Sequence, residues 1–211
     1  MRTEIFRVII FSGMLVSIGA CAHLPVGGNA ILPSPSPFPS TGASSTPSPG
    51  PSSSPGACNG QASSATVIVA MSLAIAPTSS PNYGEISGYT TADPSTGTYA
   101  NVASVITAKT TDVLQFANAE TGTTPIVHSA VGFPSATAFP SVPYHFPAST
   151  QQPIGAQISQ TQWSTGRISE SATFGACFSQ PFSLSTPGTY YFGDYDYYNL
   201  SNVRDVLVVT Q

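Results

Sequence analysis

Charge is scarce in this chain of 211 residues: Lys, Arg, Asp and Glu make up 7% of it, five basic against nine acidic. So few basic groups exclude a nucleic-acid-binding surface, and the shortage of both signs excludes a charge-laced coiled coil or a helical solenoid. Long stretches of 3.6-residue periodicity are missing too, which argues against a helical domain. Enzyme signatures are also lacking: there is no G-x-S-x-G elbow, no H-E-x-x-H pair and no phosphate-cradling P-loop. His128 and Ser129 are adjacent, and strand neighbours point to opposite faces, so they do not form a triad. The chain reads as a non-enzyme.

What is present falls into three zones: residues 1–20, 21–57 and 58–211. The first has a basic start (Arg2, Arg7), an apolar run over 8–18 and small residues before Cys21, the parts of an export signal too short to remain as a membrane span. Ile18-Gly19-Ala20-Cys21 resembles the bacterial lipobox, which implies that Cys21 is acylated and becomes the new N-terminus. The implied partner is a membrane, held through lipid chains worth about 0.8 kcal/mol per buried CH₂, and the implied location is the periplasm or the cell surface. Without the leader, three basic side chains face eight acidic ones.

The second zone runs through Pro33-Ser34-Pro35-Ser36-Pro37 and Pro47-Ser48-Pro49-Gly50-Pro51. It has too little apolar surface to offset ordering entropy and reads as a disordered stalk. Its prolines favour polyproline II, giving a reach of up to about 100 Å at roughly 3.1 Å per residue. His23 lies there with no framework to hold it.

With Cys21 assigned to lipid, Cys58 and Cys177 remain, and an even pair in an exported chain favours a disulfide. Closing so long a loop removes unfolded-state entropy worth about 5 kcal/mol in the chain-entropy model. Neither cysteine has a histidine near it in sequence, and two sulfurs alone make no closed metal site.

The third zone has short runs rich in Val, Ile, Thr, Phe and Tyr, broken by Pro, Gly, Asn and Ser, which predicts an all-β domain. Strands are expected over 66–75, 86–90, 102–109, 112–118, 126–131, 180–184, 189–193 and 204–209. In 112–118, Leu114 and Phe116 are expected on a buried face, with Gln115 and Ala117 on the other. The proline-rich stretch 132–166 is expected as a long surface excursion with one helical turn, the kind of loop that often carries function.

Three segments, in this order, resemble the cupredoxin family of small blue-copper carriers: Asp112-Val113-Leu114-Gln115-Phe116-Ala117-Asn118, then His128-Ser129-Ala130-Val131, then Phe182-Ser183-Leu184-Ser185-Thr186-Pro187-Gly188-Thr189-Tyr190-Tyr191-Phe192. With the closing strand 206–209 they cover roughly half of the domain. The resemblance implies a Greek-key β-sandwich of about seven to eight strands and, at His128, a first copper ligand. The remaining ligands are not there. Counting without gaps, the cysteine position holds Asp194, the histidine position Tyr197 and the methionine position Asn202, or Val203 if the loop is one residue longer. A type 1 site needs a thiolate and two imidazoles, so the expectation is a module without copper, with an altered copper site as the alternative.

Two readings of His128 stay open: a histidine satisfied by hydrogen bonds at a strand end, or a ligand in a weaker copper(II) or zinc site with His145 and Asp194. The tyrosines Tyr190, Tyr191, Tyr195, Tyr197 and Tyr198 form the densest aromatic feature. One of Tyr190 and Tyr191 is expected in the core. Tyr195, Tyr197 and Tyr198 either form a recognition surface for an envelope protein or a carbohydrate, or fill the space of lost ligands. Asp194, Asp196 and Asn199 hint at calcium, yet the glycine and distal Glu of an EF-hand are absent.

Overall fold

The computed structural model describes residues 65–121, 126–169 and 177–211; the expected leader and stalk, with Cys21, His23 and Cys58, lie outside the described residues. The described chain is all-β, as its patterning predicts. Its strands are β1 (Val67–Met71), β2 (Thr78–Ser80), β3 (Gly84–Ile86), β4 (Tyr89–Ala92), β5 (Ile106–Lys109), β6 (Val113–Asn118) and β7 (Val127–His128). After these come β8 (Val131–Gly132), β9 (Pro153–Ile154), β10 (Ser164–Thr165), β11 (Ile168–Ser169), β12 (Phe182–Ser183), β13 (Gly188–Gly193) and β14 (Arg204–Thr210). A 3-10 turn occupies Ala148–Gln151, and one helical turn, α1, occupies Tyr198–Ser201.

One sheet has the order β12-β6-β1-β4 and another β5-β14-β13-β8-β10-β9, with two-stranded pieces β11-β7 and β2-β3 beside them. The pairs β1–β6 and β5–β14 are parallel, whereas β13–β14 is antiparallel. The two larger sheets share one core. Val69, Leu114, Phe116 and Phe182 from the first meet Ile106, Tyr190, Phe192, Leu207 and Val209 from the second in a single buried cluster. The ring of Phe116 lies 5.6 Å from that of Phe192 and 6.0 Å from that of Trp163. Each such fully buried side chain contributes roughly 1.5–3 kcal/mol of transfer free energy.

Four expectations are corrected. The strand expected over 66–75 stops at Met71, where Ser72 turns the chain and its carbonyl accepts the Ile75 N–H. The strand expected over 86–90 divides at Gly88, whose φ of 81° breaks the extended backbone, so that β3 pairs with β2 while β4 pairs with β1. In β6 both faces are buried: Gln115 and Ala117 are as hidden as Leu114 and Phe116. A second cluster, with Ile68, Ala70, Ile75, Ile86 and Ala103, covers Ala117 on the far side of the first sheet.

Last, 132–166 is not merely a surface excursion. It supplies β9 and β10, and it sends Ile158 and Trp163 into the inter-sheet core at 1% exposure each. Gly132 makes room for the indole, since a Cβ there would fall 2.2 Å from Trp163 Nε1. The expected helical turn is present at Ala148–Gln151.

Candidate functional site

Three of the positions that the cupredoxin resemblance singles out, His128, Asp194 and Tyr197, meet beside the ends of β7 and β13. Asp194 directly follows β13, and a carboxylate withdrawn from water needs several donors. Its Oδ1 accepts the N–H groups of Asp196 (2.8 Å) and Tyr197 (3.0 Å), which folds the chain into a turn. Its Oδ2 accepts the Ser129 N–H (3.0 Å) and meets His128 Nδ1 at 2.9 Å. Gly193 allows this turn to close tightly, because a Cβ there would lie 2.6 Å from Tyr198 Cδ2. Asp194 therefore ties the β13–β14 connection to the β7 end.

His128 is wholly buried and is held from both sides. Its Nε2 lies 3.0 Å from Glu120 Oε1, opposite the contact to Asp194. Glu120 follows β6 and also accepts the Leu73 N–H. Burial alone would push the imidazole pKa down, but the hydrogen bonds to Asp194 and Glu120, reinforced by their charges, outweigh it and raise the pKa to about 9. The same hydrogen bond, more than the opposing burial, holds the Glu120 carboxyl below its ordinary range. At neutral pH the ring is thus an imidazolium donating from both nitrogens, and a cation of this kind has no lone pair to offer.

Tyr197 is half-buried, and its ring centre stands 5.2 Å from that of His128. Val203 is buried in the inter-sheet core, whereas Asn202 is exposed at the end of α1 with a φ of 53°. So His128, Asp194 and Tyr197 are brought together, with Val203 rather than Asn202 turned inward. His145 is not brought to them: it is exposed beside the buried Phe146, and no hydrogen bond or ion pair joins it to His128 or Asp194. One imidazole with both nitrogens engaged, one carboxylate and one phenol do not fit a type 1 copper site. Among the described residues no group of three or more His, Cys, Asp or Glu side chains is arranged to hold a metal ion.

The tyrosines are set at different depths. Tyr190 and Tyr191 are both buried, on opposite faces of β13. Tyr198 is fully buried and donates to the Pro140 carbonyl, so it is structural. Half-buried Tyr195 lies beside Phe146 with the rings tilted, accepts from Gln151 Nε2 at 3.0 Å and lies under the Arg167 guanidinium. Arg167 in turn forms a two-bond pair with Asp196, which occupies that carboxylate. Asn199 is committed to the backbone of Tyr144, so the Asp194, Asp196 and Asn199 side chains are all engaged.

Sequence reasoning missed two acids. Glu120 completes the row of carboxylate, imidazolium and carboxylate; the available signal was its place two residues beyond Asn118, whose side chain bonds the Ile126 and Ile168 carbonyls and fixes the β6 end against β7. Asp205, on β14, is fully buried with Oδ1 accepting the Val206 N–H at 2.6 Å and no partner for Oδ2 among the described residues. Burial, only partly countered by that bond, pushes its pKa well above the ordinary carboxyl range. Cys177 is 2% exposed within the inter-sheet core; its expected partner, Cys58, is outside the described residues.

Comparison with protein-family models, with curated proteins and with solved structures finds no match to this chain.

Proposed function

We propose that this is an exported lipoprotein of the cell envelope, anchored through Cys21 and carried on its Pro/Ser-rich stalk, whose cupredoxin-like domain has given up type 1 copper and serves as a binding or structural module. The observation that carries the loss of copper is the Glu120, His128, Asp194 row. At the position where the resemblance implies a thiolate stands a carboxylate that hydrogen-bonds the histidine, and the second nitrogen of that histidine is bonded to another acid. The parallel pairs β1–β6 and β5–β14, together with the shared inter-sheet core, support the Greek-key reading. A disulfide between Cys58 and Cys177 is part of the proposal, and mass spectrometry of the unreduced chain tests it.

The deciding experiment is metal analysis and visible spectroscopy of the purified full chain after incubation with copper(II). No intense visible absorption is expected, because among the described residues no thiolate faces the imidazole. An intense blue band overturns the proposal in favour of an electron carrier with an altered site. The converse variant, Asp194→Cys with Tyr197→His and Val203→Met, is expected to move the spectrum toward the blue-copper pattern. Membrane fractionation of Cys21→Ser tests the anchor: release into the soluble fraction is expected, and continued sedimentation with membranes refutes it.

A further inference from the structure

The outer face of the six-stranded sheet carries a cleft of about 430 Å³, within the size range of small-molecule sites. Two tyrosines form its corner. Tyr191, on β13, and Tyr83, in the turn between β2 and β3, stand edge to face with ring centres 6.2 Å apart. Tyr191 is braced from another side by Phe139, 5.1 Å away at 90°, so packing holds its ring on two sides. Around it lie Ser135, Thr137, Gln160 and Thr189, which carry hydroxyls and an amide and no ionisable acid or base.

The hydrogen-bonding capacity of this lining is largely unspent. Among the described residues the hydroxyls of Tyr83, Thr137, Thr189 and Tyr191 have no hydrogen-bond partner, and the one buried side-chain oxygen without a partner belongs to Asp205, elsewhere. The Tyr191 hydroxyl therefore reaches solvent through its 8% exposure. One lip is held in place: Ser135 adopts a φ of 53°, a conformation uncommon for a side chain other than Gly or Asn, and this lets its N–H reach the Gln160 carbonyl at 2.9 Å. Gln160 Nε2 is given to the Thr189 carbonyl, which leaves the amide oxygen as an acceptor.

Aromatic faces beside uncharged donors and acceptors suit a neutral polyhydroxylated ring, whose C–H face stacks on an aromatic while its hydroxyls exchange hydrogen bonds. They do not suit an anion, since among the described residues no cation lines the cleft. An extended peptide adding itself as a strand is also disfavoured, because β13 already lies between β14 and β8 and offers no edge. We propose that this cleft binds a neutral hexose unit of a saccharide. The proposal rests on the reading of the domain as a binding module and names the ligand class and its place, away from the tyrosines that follow β13.

The test is calorimetric titration of the purified full chain with cellopentaose, maltopentaose and mannopentaose, with a galacturonan oligomer and a proline-rich peptide as comparators. At least one neutral pentasaccharide is expected to bind saturably. Thr137→Trp, which fills the cleft from an exposed position, and Tyr83→Ala, in the hairpin turn, are expected to weaken it by about tenfold or more, while Tyr195→Ala leaves it unchanged. Thermal melts followed by circular dichroism report whether each variant is folded. Absence of binding by all three neutral sugars, binding undiminished in both cleft variants, or binding by the acidic oligomer or the peptide alone overturns the proposal. Such a failure in a protein that stays colourless with copper(II) leaves the copper-free module standing, whereas a blue copper-loaded protein removes that reading itself.

Discussion

Asp194 and Asp205 flank one connection, the first just after β13 and the second near the start of β14, and both are fully hidden from solvent. Four donors converge on Asp194, three of them backbone N–H groups and the fourth the His128 ring. Asp205 receives one, on Oδ1. The contrast shows that burial alone says little about what an acid does for a fold. At the turn, the carboxylate organises the loop and holds a cation. On the strand, it takes up core space while half of its polar capacity is unmet, and buried Tyr89 feels both charges, its phenol pKa raised first by burial and then by Asp194 and Asp205.

The sharpest way to break the contrast is Asp194→Ala. Removing it strips the 195–198 turn of its acceptor and leaves the buried imidazolium with one counter-charge, which is expected to cost about 3–5 kcal/mol in urea denaturation. His128→Gln comes next, through its effect on the pH profile. Because the folded pKa of His128, about 9, lies above the ordinary 6.5, its contribution is complete below pH 6.5 and is lost as pH rises through 9. The loss amounts to about 3 kcal/mol. Denaturation midpoints measured from pH 6 to 10 should fall steeply for the native chain and stay flatter for His128→Gln.

Asp205→Asn reverses the sign. A carboxyl whose folded pKa is raised contributes fully below its unfolded value and costs stability as pH climbs above it, so the amide is expected to stabilise the chain by about 1–3 kcal/mol at pH 7. The gain should shrink toward pH 4. Smallest of all is Arg167→Ala, which breaks a pair whose two side chains are 29% and 27% exposed; solvent screening holds the expected cost below about 1 kcal/mol. If the four variants rank otherwise in one set of melts, hydrogen-bond satisfaction is not what separates the two aspartates.

Much of this architecture was legible in the residues. Leu114 and Phe116 alternate as a strand core should, and the antiparallel β13–β14 pair stands where Thr189 to Phe192 and 204–209 suggest. The cupredoxin resemblance, counted without gaps, also brought out Asp194 and Tyr197 alongside His128, although they lie 66 and 69 positions along the chain. What stayed hidden depends on contacts that no local pattern encodes. Gln115 looks like a solvent-facing strand residue until its amide is seen to bond the Ser179 carbonyl under a second layer. Trp163 sits among Ser, Gln and Thr, a loop-like setting, and is buried only because Gly132 leaves a space for it. Glu120 has an acid's usual look of a surface group, and only the fold puts a histidine nitrogen 3.0 Å away.

The parallel pairing of β5 with β14 has a consequence for how the protein is made. Ile106 lies opposite Leu207, so β5 emerges about a hundred residues before the strand that must separate it from β13, an interval of roughly 5–20 s at ordinary synthesis rates. Until β14 is made, β5 has no neighbour in its sheet, and an unpaired strand of this type invites pairing with other chains. Under the proposed export, crossing a membrane unfolded, with folding deferred until residues 204–210 are available on the far side, would close that window. For this topology, export as proposed would act through its timing as a safeguard against aggregation.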